Sequence, residues 1–149
     1  MTNARLYWWL EANQVLNVHQ AGFRKGQRTE DLLFRMTQQI IDGFNQKKST
    51  VGIFVDLQQA YDRVWRKGLF IKMQNTGIHG KLYTWIKNFL TDRLIQTKVQ
   101  NAFSSKRVLE EGLPQGSSLS CTLFLIFLND LPEVLKSEKA QYADDLAFW

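Results

Sequence analysis

Three aspartates stand where an aspartate is least comfortable. Val51-Gly52-Ile53-Phe54-Val55 is a short, apolar, partly β-branched run that reads as a buried strand, and it leads directly into Asp56 and Leu57. Gln141 to Trp149 reads as two short strands around Ala143-Asp144-Asp145, with Tyr142, Leu146, Ala147, Phe148 and Trp149 flanking the acids. Adjacent carboxylates in apolar company repel each other and lose solvation. A hard divalent cation offsets both effects, and oxygen ligands select magnesium or manganese. Taken singly, an Asp-Asp pair in a hairpin is ordinary solvated turn chemistry, and a strand-terminal Asp is ordinary as a cap or turn residue.

The rest of the chain alternates helices with short strands. Met1 to Ala12 is amphipathic and aromatic, and Gln20 to Arg28 is a loop containing Gly and Arg. Thr29 is placed to cap a helix in which Leu32, Leu33, Met36, Ile40, Ile41 and Phe44 recur at helical spacing, with Glu30 and Asp31 in its first turn. Further helices are predicted from about Lys67 to Asn75, stopping near Gly77, and after Gly80, with Leu82, Trp85, Ile86, Phe89 and Leu90 on one core-facing side. Leu94 to Val99 alternates as a strand does, and Val108-Leu109 continues a hairpin with it. Ser117 or Ser118 caps an apolar helix reaching Asn129 or Asp130, and Pro132 opens a short helical turn. The mixture is α+β.

At 149 residues, 44% of them hydrophobic and 13% aromatic, the chain is one domain's worth of folded polypeptide. A formal net charge of +5 suits a polyanionic partner without requiring one. Cys121 is the only cysteine, which excludes an intramolecular disulfide and a cysteine zinc cluster. Arg5 and Glu11 interrupt the N-terminal apolar stretch, and the longest apolar run, Cys121 to Leu128, is too short to span a bilayer. The expectation is an intracellular protein with no signal peptide and no membrane partner.

Gly112-Leu113-Pro114-Gln115-Gly116-Ser117 is a loop opening into a helix. Its glycines permit close backbone approach to a ligand, and a helix N-terminus favours phosphate. With this element three strings stand in order. Phe54-Val55-Asp56-Leu57-Gln58-Gln59-Ala60-Tyr61-Asp62 resembles the first catalytic motif of reverse transcriptases. Gly112 to Ser117, continuing through Leu119-Ser120, resembles their second palm motif, and Tyr142-Ala143-Asp144-Asp145 matches their Tyr-Ala-Asp-Asp signature. Gln20-Ala21-Gly22-Phe23-Arg24 with Arg28-Thr29-Glu30-Asp31 is similar to the fingers segment of retrotransposon enzymes without long terminal repeats, the jockey-like elements of arthropods in particular.

The resemblance implies a palm-type fold, a small antiparallel sheet packed on helices, with part of the fingers (1–50) preceding the palm (51–149) and the thumb absent. It implies RNA-directed DNA synthesis with two Mg2+ ions, or Mn2+, about 3.5–4 Å apart. Asp56 and Asp144 become the main metal ligands, with Asp145 beside them. Leu57 offers backbone contact to the incoming triphosphate and the metal. Tyr61, five residues after Asp56, becomes the steric gate against a ribose 2′-hydroxyl. Gln115 and Gly116 lie against the nucleotide, Pro114 and Gln115 against the template, and Arg24 contacts the template backbone. Asp62 orients local backbone.

The implied partners are an RNA template, a DNA primer and a dNTP, met in a nuclear and cytoplasmic element ribonucleoprotein. An RNA-dependent RNA polymerase is the nearest rival; such enzymes commonly carry Gly-Asp-Asp and often a second Asp five residues after the first, where this chain has Ala143-Asp144-Asp145 and Tyr61. Earlier fingers motifs are not recognisable in Met1 to His19, and the later palm lysine, primer grip and thumb lie outside the sequence. The full-length element protein is expected to supply them, and the alternative is an inactive fragment or relic that binds nucleic acid weakly. Leu146 to Trp149 is expected to leave apolar surface bare and to make the isolated chain poorly soluble.

Overall fold

The computed structural model describes all residues, Met1–Trp149. In chain order the elements are α1 (Thr2–Ala12), α2 (Thr29–Asn45), β1 (Ile53–Val55), α3 (Arg66–Asn75), α4 (Gly80–Leu90), β2 (Arg93–Ile95), β3 (Lys98–Val99), β4 (Ala102–Phe103), β5 (Arg107–Leu109), α5 (Ser118–Leu128), a 3-10 turn (Leu131–Val134), β6 (Lys139–Tyr142) and β7 (Asp145–Phe148). The mixture of helices and small antiparallel sheets is the expected α+β class.

The chain forms two compact units, and they do not follow chain order. Met1–Gln58 joins Leu128–Trp149 in the first, and Gln59–Phe127 makes the second. The reason is strand pairing: β1, β7 and β6 form an antiparallel sheet in that order, so the C-terminal hairpin is added to a strand from the first half of the chain.

In the first unit β1 pairs with β7 through Ile53↔Phe148, Phe54↔Ala147 and Val55↔Leu146. Residues on a strand alternate between faces. Leu146 and Gln141 are buried, while Phe54 and Ala147 share the other face with α2. β1 is an exposed edge, not the buried strand its composition predicts, because it is paired on one side only. The mistaken inference came from apolarity without knowledge of position in the sheet. Leu6, Leu10, Leu16, Ala21 and Leu146 are buried in this unit. Asn129 ties the N-terminal segment down, accepting the Asn17 backbone N–H at 2.7 Å and donating to the Val15 carbonyl at 2.8 Å.

In the second unit α3 packs on α4, and Val64, Leu69, Met73, Ile86, Leu90 and Phe124 are fully buried. Trp85 is exposed, against expectation: Ile86 and Leu90 take the core positions of α4, and Trp85 stacks instead on Phe89, one turn on, at 5.8 Å. The predicted strand over Leu94–Val99 is split. β2 pairs with β5 and β3 with β4. At the break the Ser104 hydroxyl accepts the Thr97 N–H at 3.0 Å and the Gln96 side chain donates to the Ser104 carbonyl at 2.7 Å.

Three helix ends, those of α1, α2 and α3, follow one device. Past α3, Gly77 (φ +89°) sends its N–H to the Gln74 carbonyl and Ile78 sends its N–H to Met73, with Ile78 and Met73 both buried, which is a Schellman stop. α1 and α2 end the same way with Gln14 and Lys47 at positive φ. Thr29 is not the cap of α2. It is the first helical residue, Arg28 holds the cap position, and no side chain caps the helix.

The expected bare apolar strand is not where the exposure lies. Leu146 is buried, and Phe148 and Trp149 are half-buried because β7 is the central strand and the Trp149 indole donates to Gln39. The exposed surface is on α2, where Phe34 and Phe44 are 70% and 66% exposed, and on β1, where Phe54 is 70% exposed. Such clustered apolar exposure drives association. Replacing Phe34 and Phe44 together with Lys should raise the concentration at which the chain stays monomeric by light scattering without lowering its melting temperature. Unchanged self-association would locate the sticky surface elsewhere.

Candidate active site

The predicted site residues divide between the two units. Asp56, Leu57, Asp144, Asp145 and Arg24 fall in the first, and Tyr61, Pro114, Gln115 and Gly116 in the second.

In the first unit Ala143 and Asp144 alone connect β6 to β7, and the Tyr142↔Asp145 pair closes the hairpin. One step beyond the last β1–β7 pair, Val55↔Leu146, stand Asp56 on one strand and Asp145 on the other. Both line one cavity of about 340 Å³, walled by Phe54 and Ala147 of the sheet and by Leu33 and Met36 of α2. Asp56 and Asp145 are exposed, and Asp144 is half-buried in the turn. Asp144 does not line this cavity. Leu57 is half-buried directly after Asp56.

A hard divalent cation matches this donor set, because two carboxylates face a common cavity. No group of three or more His, Cys, Asp or Glu side chains comes together closely enough to hold an ion.

The turn is held from an unexpected side. Ala143 has φ +56°, a conformation costing an L-residue about 1–2 kcal/mol. The buried side chain of Gln20 reaches its backbone: Oε1 accepts the Ala143 N–H at 2.9 Å, and Nε2 donates to the Ala143 carbonyl at 3.1 Å. Gln141 Nε2 donates to the same carbonyl at 3.1 Å. Reading the sequence placed Gln20 only at the edge of the fingers segment. A lone polar residue in a loop gives no sign that it is buried.

Arg24 is bonded to its own chain at four points. Its guanidinium donates to both Glu11 oxygens at 2.9 and 2.6 Å and to the carbonyls of Asn17 and Gln20 at 2.8 and 3.1 Å, and its side chain is 12% exposed. The partner that reclassifies it lies on α1, beyond the reach of local pattern.

In the second unit the segment after Asp56 and the Gly112–Ser117 loop are bound together. The Leu113 N–H donates to the Tyr61 carbonyl at 2.8 Å and the Gly112 N–H to the Val64 carbonyl at 2.9 Å. Gln115 Nε2 donates to Asp62 Oδ1 at 3.0 Å. Gly112 has φ +84°, and a Cβ there would stand 2.6 Å from the Asp62 carbonyl oxygen, so only glycine fits. Arg66, buried, locks the loop's entry by donating to the carbonyls of Leu109, Glu111 and Gly112 at 2.6 to 2.8 Å. Burial pulls its guanidinium below its usual pKa. The Tyr61 ring stacks on Phe124 at 4.7 Å. Pro114 is half-buried, and Gly116 (φ +81°) is exposed with open space where a Cβ would point.

A two-residue hairpin bearing adjacent aspartates, paired to an edge strand that ends in a third, defines a palm-type polymerase sheet. The family model for reverse transcriptase (RNA-dependent DNA polymerase) matches residues 1–149, and the chain belongs to that family. It is 37% identical over 142 residues to a probable RNA-directed DNA polymerase from transposon BS of Drosophila melanogaster, covering 90% of this chain and 16% of that protein. It is 32% identical over 142 residues to the probable enzyme of transposon X-element from the same fly, covering 92% and 16%. It is 34% identical over 151 residues to the RNA-directed DNA polymerase from mobile element jockey, again of Drosophila melanogaster, covering 96% and 16%. The chain thus spans about one sixth of these relatives' length.

The Arg24 geometry makes a stability prediction. The Arg24 hydrogen bonds hold the Glu11 carboxyl below its usual pKa, against the opposing effect of burial. A depressed folded-state value adds stability above the unfolded pKa, and that stability is lost as pH falls through the folded value. Arg24→Met should therefore lower unfolding free energy at neutral pH by about 1–3 kcal/mol in urea titrations. The difference from the parent should shrink below about pH 4. An Arg24→Met chain as stable as the parent would show the guanidinium to be dispensable for folding and restore a template role.

Proposed function

We propose that this chain is the central part of an RNA-directed DNA polymerase of a mobile element, which joins dNTPs to a primer 3′-hydroxyl on an RNA template. The observation that supports it best is the β1–β7 register, which sets Asp56 and Asp145 on one cavity beside the hairpin carrying Asp144. The cofactor we infer is Mg2+, two ions, with Mn2+ as a substitute, held by Asp56, Asp144 and Asp145 and the Leu57 backbone. When bound, a divalent ion neutralises charge on the triphosphate and the reacting oxygens.

The chain's own residues bind and orient. The Tyr61 ring excludes a 2′-hydroxyl from the nucleotide, Gln115 and Gly116 face the base pair being formed, and Pro114 with Gln115 supports the template. Positioning of template, primer and nucleotide provides much of a polymerase's rate, and this chain spans about a sixth of the relatives' length. The working form is a full-length element protein in a nuclear and cytoplasmic ribonucleoprotein. A non-catalytic fragment is the second reading, favoured by the absence of a three-acid cluster.

Primer extension on an RNA template with Mg2+ separates the two. Asp56→Asn and Asp144→Asn should each lower extension at least about a hundredfold, since metal-borne charge stabilisation is worth several kcal/mol. No extension by parent or variants supports the non-catalytic reading. In a form of the protein that extends primers, Tyr61→Val should raise ribonucleotide incorporation relative to deoxynucleotide. Unchanged selectivity would remove Tyr61 from the gate.

A further inference from the structure

Gln20 is 4% exposed, and its side-chain amide is the only polar group of the Gln20-Ala21-Gly22 segment aimed at the hairpin turn through two separate bonds. Its Oε1 accepts two backbone N–H groups, from Gly22 at 2.7 Å and Ala143 at 2.9 Å, and its Nε2 faces the Ala143 carbonyl at 3.1 Å. The amide orientation is set by chemistry, because the opposite one would put N–H against N–H and oxygen against oxygen. The backbone around it is docked as well. The Gln141 N–H donates to His19 and the Ala21 N–H to Gln141, so the segment lies alongside β6 as an added, parallel bridge at Gln20↔Gln141. Gly22 lets it come close: a Cβ there would stand 2.1 Å from the Ala143 nitrogen.

Ala143 is the residue whose φ of +56° creates the turn. An alanine adopts that conformation at a cost, and a two-residue hairpin otherwise favours glycine there. Gln20 holds both polar groups of its backbone, sharing the carbonyl with Gln141 and alone accepting the N–H, so part of the energy that keeps the turn in this conformation comes from a loop remote in sequence. Asp144 and Asp145 follow directly, so the direction of their carboxylates depends on the same peptide.

We propose that Gln20, with Gly22, is a positioning residue for the acidic hairpin: it fixes the Ala143 peptide and through it the aim of Asp144 and Asp145. This rests on the metal-site reading above, and the experiment separates the two. The probe is Mn2+ alone, titrated by water-proton relaxation into the full 149-residue chain, alongside amide exchange at Ala143 by NMR and thermal melting.

In the parent, the Ala143 amide should exchange at least about a hundredfold slower than an open-loop amide. Gln20→Leu and Gly22→Ala should each weaken Mn2+ binding about 10–100-fold, the range for groups that orient a metal ligand. Adding Ala143→Gly to Gln20→Leu should recover most of that loss, because glycine takes the positive φ unaided; a glutamine that merely filled the core would not be rescued by a change in the turn.

Fast exchange at Ala143 in the parent overturns the proposal, and it does so even where Gln20→Leu fails to fold. So does parent-like Mn2+ affinity in Gln20→Leu while Asp144→Asn binds weakly, and so does a loss that Ala143→Gly leaves unrescued. If Asp144→Asn itself binds Mn2+ like the parent, the metal-site reading fails first and the positioning role falls with it.

Discussion

Backbone pairing between Ile53–Val55 and Leu146–Phe148 is the constraint on which the first unit depends. It joins a strand from the first half of the chain to its last residues, and it puts Asp56 and Asp145 at the same end of two neighbouring strands. The alternation of faces does the rest. Leu146 turns into the core, and Phe54 and Ala147 turn toward α2. Because the pairing stops at Val55↔Leu146, the acids sit past the ladder, where Asp56 and Asp145 stay exposed to water. The sheet can therefore form without first neutralising them.

The connection between those strands is harder to build than the strands. Two residues must reverse the chain, and the first of them is an alanine at positive φ. The strain is local, but its compensation is not. The buried amide of Gln20 bonds both the N–H and the carbonyl of that residue, with Gln141 sharing the carbonyl, and Gly22 allows the approach. An unsatisfied buried polar group costs about 1–3 kcal/mol, comparable to the strain itself, so loop and turn stabilise each other. The second unit repeats the idea with a different side chain. There Arg66 gathers three loop carbonyls and fixes the backbone that leads into Leu113 and Gln115.

How much of this was legible follows from range. The C-terminal hairpin, the stop of α3 near Gly77, the helix after Gly80 and the pairing of Val108-Leu109 are written in local periodicity and turn chemistry, and all are present. The three motifs and the family were legible because they are strings in order, and the family match runs over the whole chain. What was not legible depends on neighbours far away in sequence. β1 reads as buried until its place at the edge of the sheet is known. Trp85 reads as core until Ile86 and Leu90 are seen to fill it. The split of the strand after Ile95 depends on Ser104, whose hydroxyl takes the Thr97 N–H.

The Gln20–Arg24 loop shows why that distinction matters for function. Its sequence, with a basic residue among glycines, suggests a surface that touches a ligand. In the fold it faces inward: Gln20 holds the hairpin turn, Gly22 abuts it, and Arg24 holds α1 through Glu11. A charged group bonded at four points to its own protein has little to offer a phosphate without first breaking them, and each such bond to a charged group is worth about 1.5–3 kcal/mol. On the positioning role proposed for Gln20, the loop's contribution is geometric: it holds the Ala143 peptide from which Asp144 and Asp145 follow.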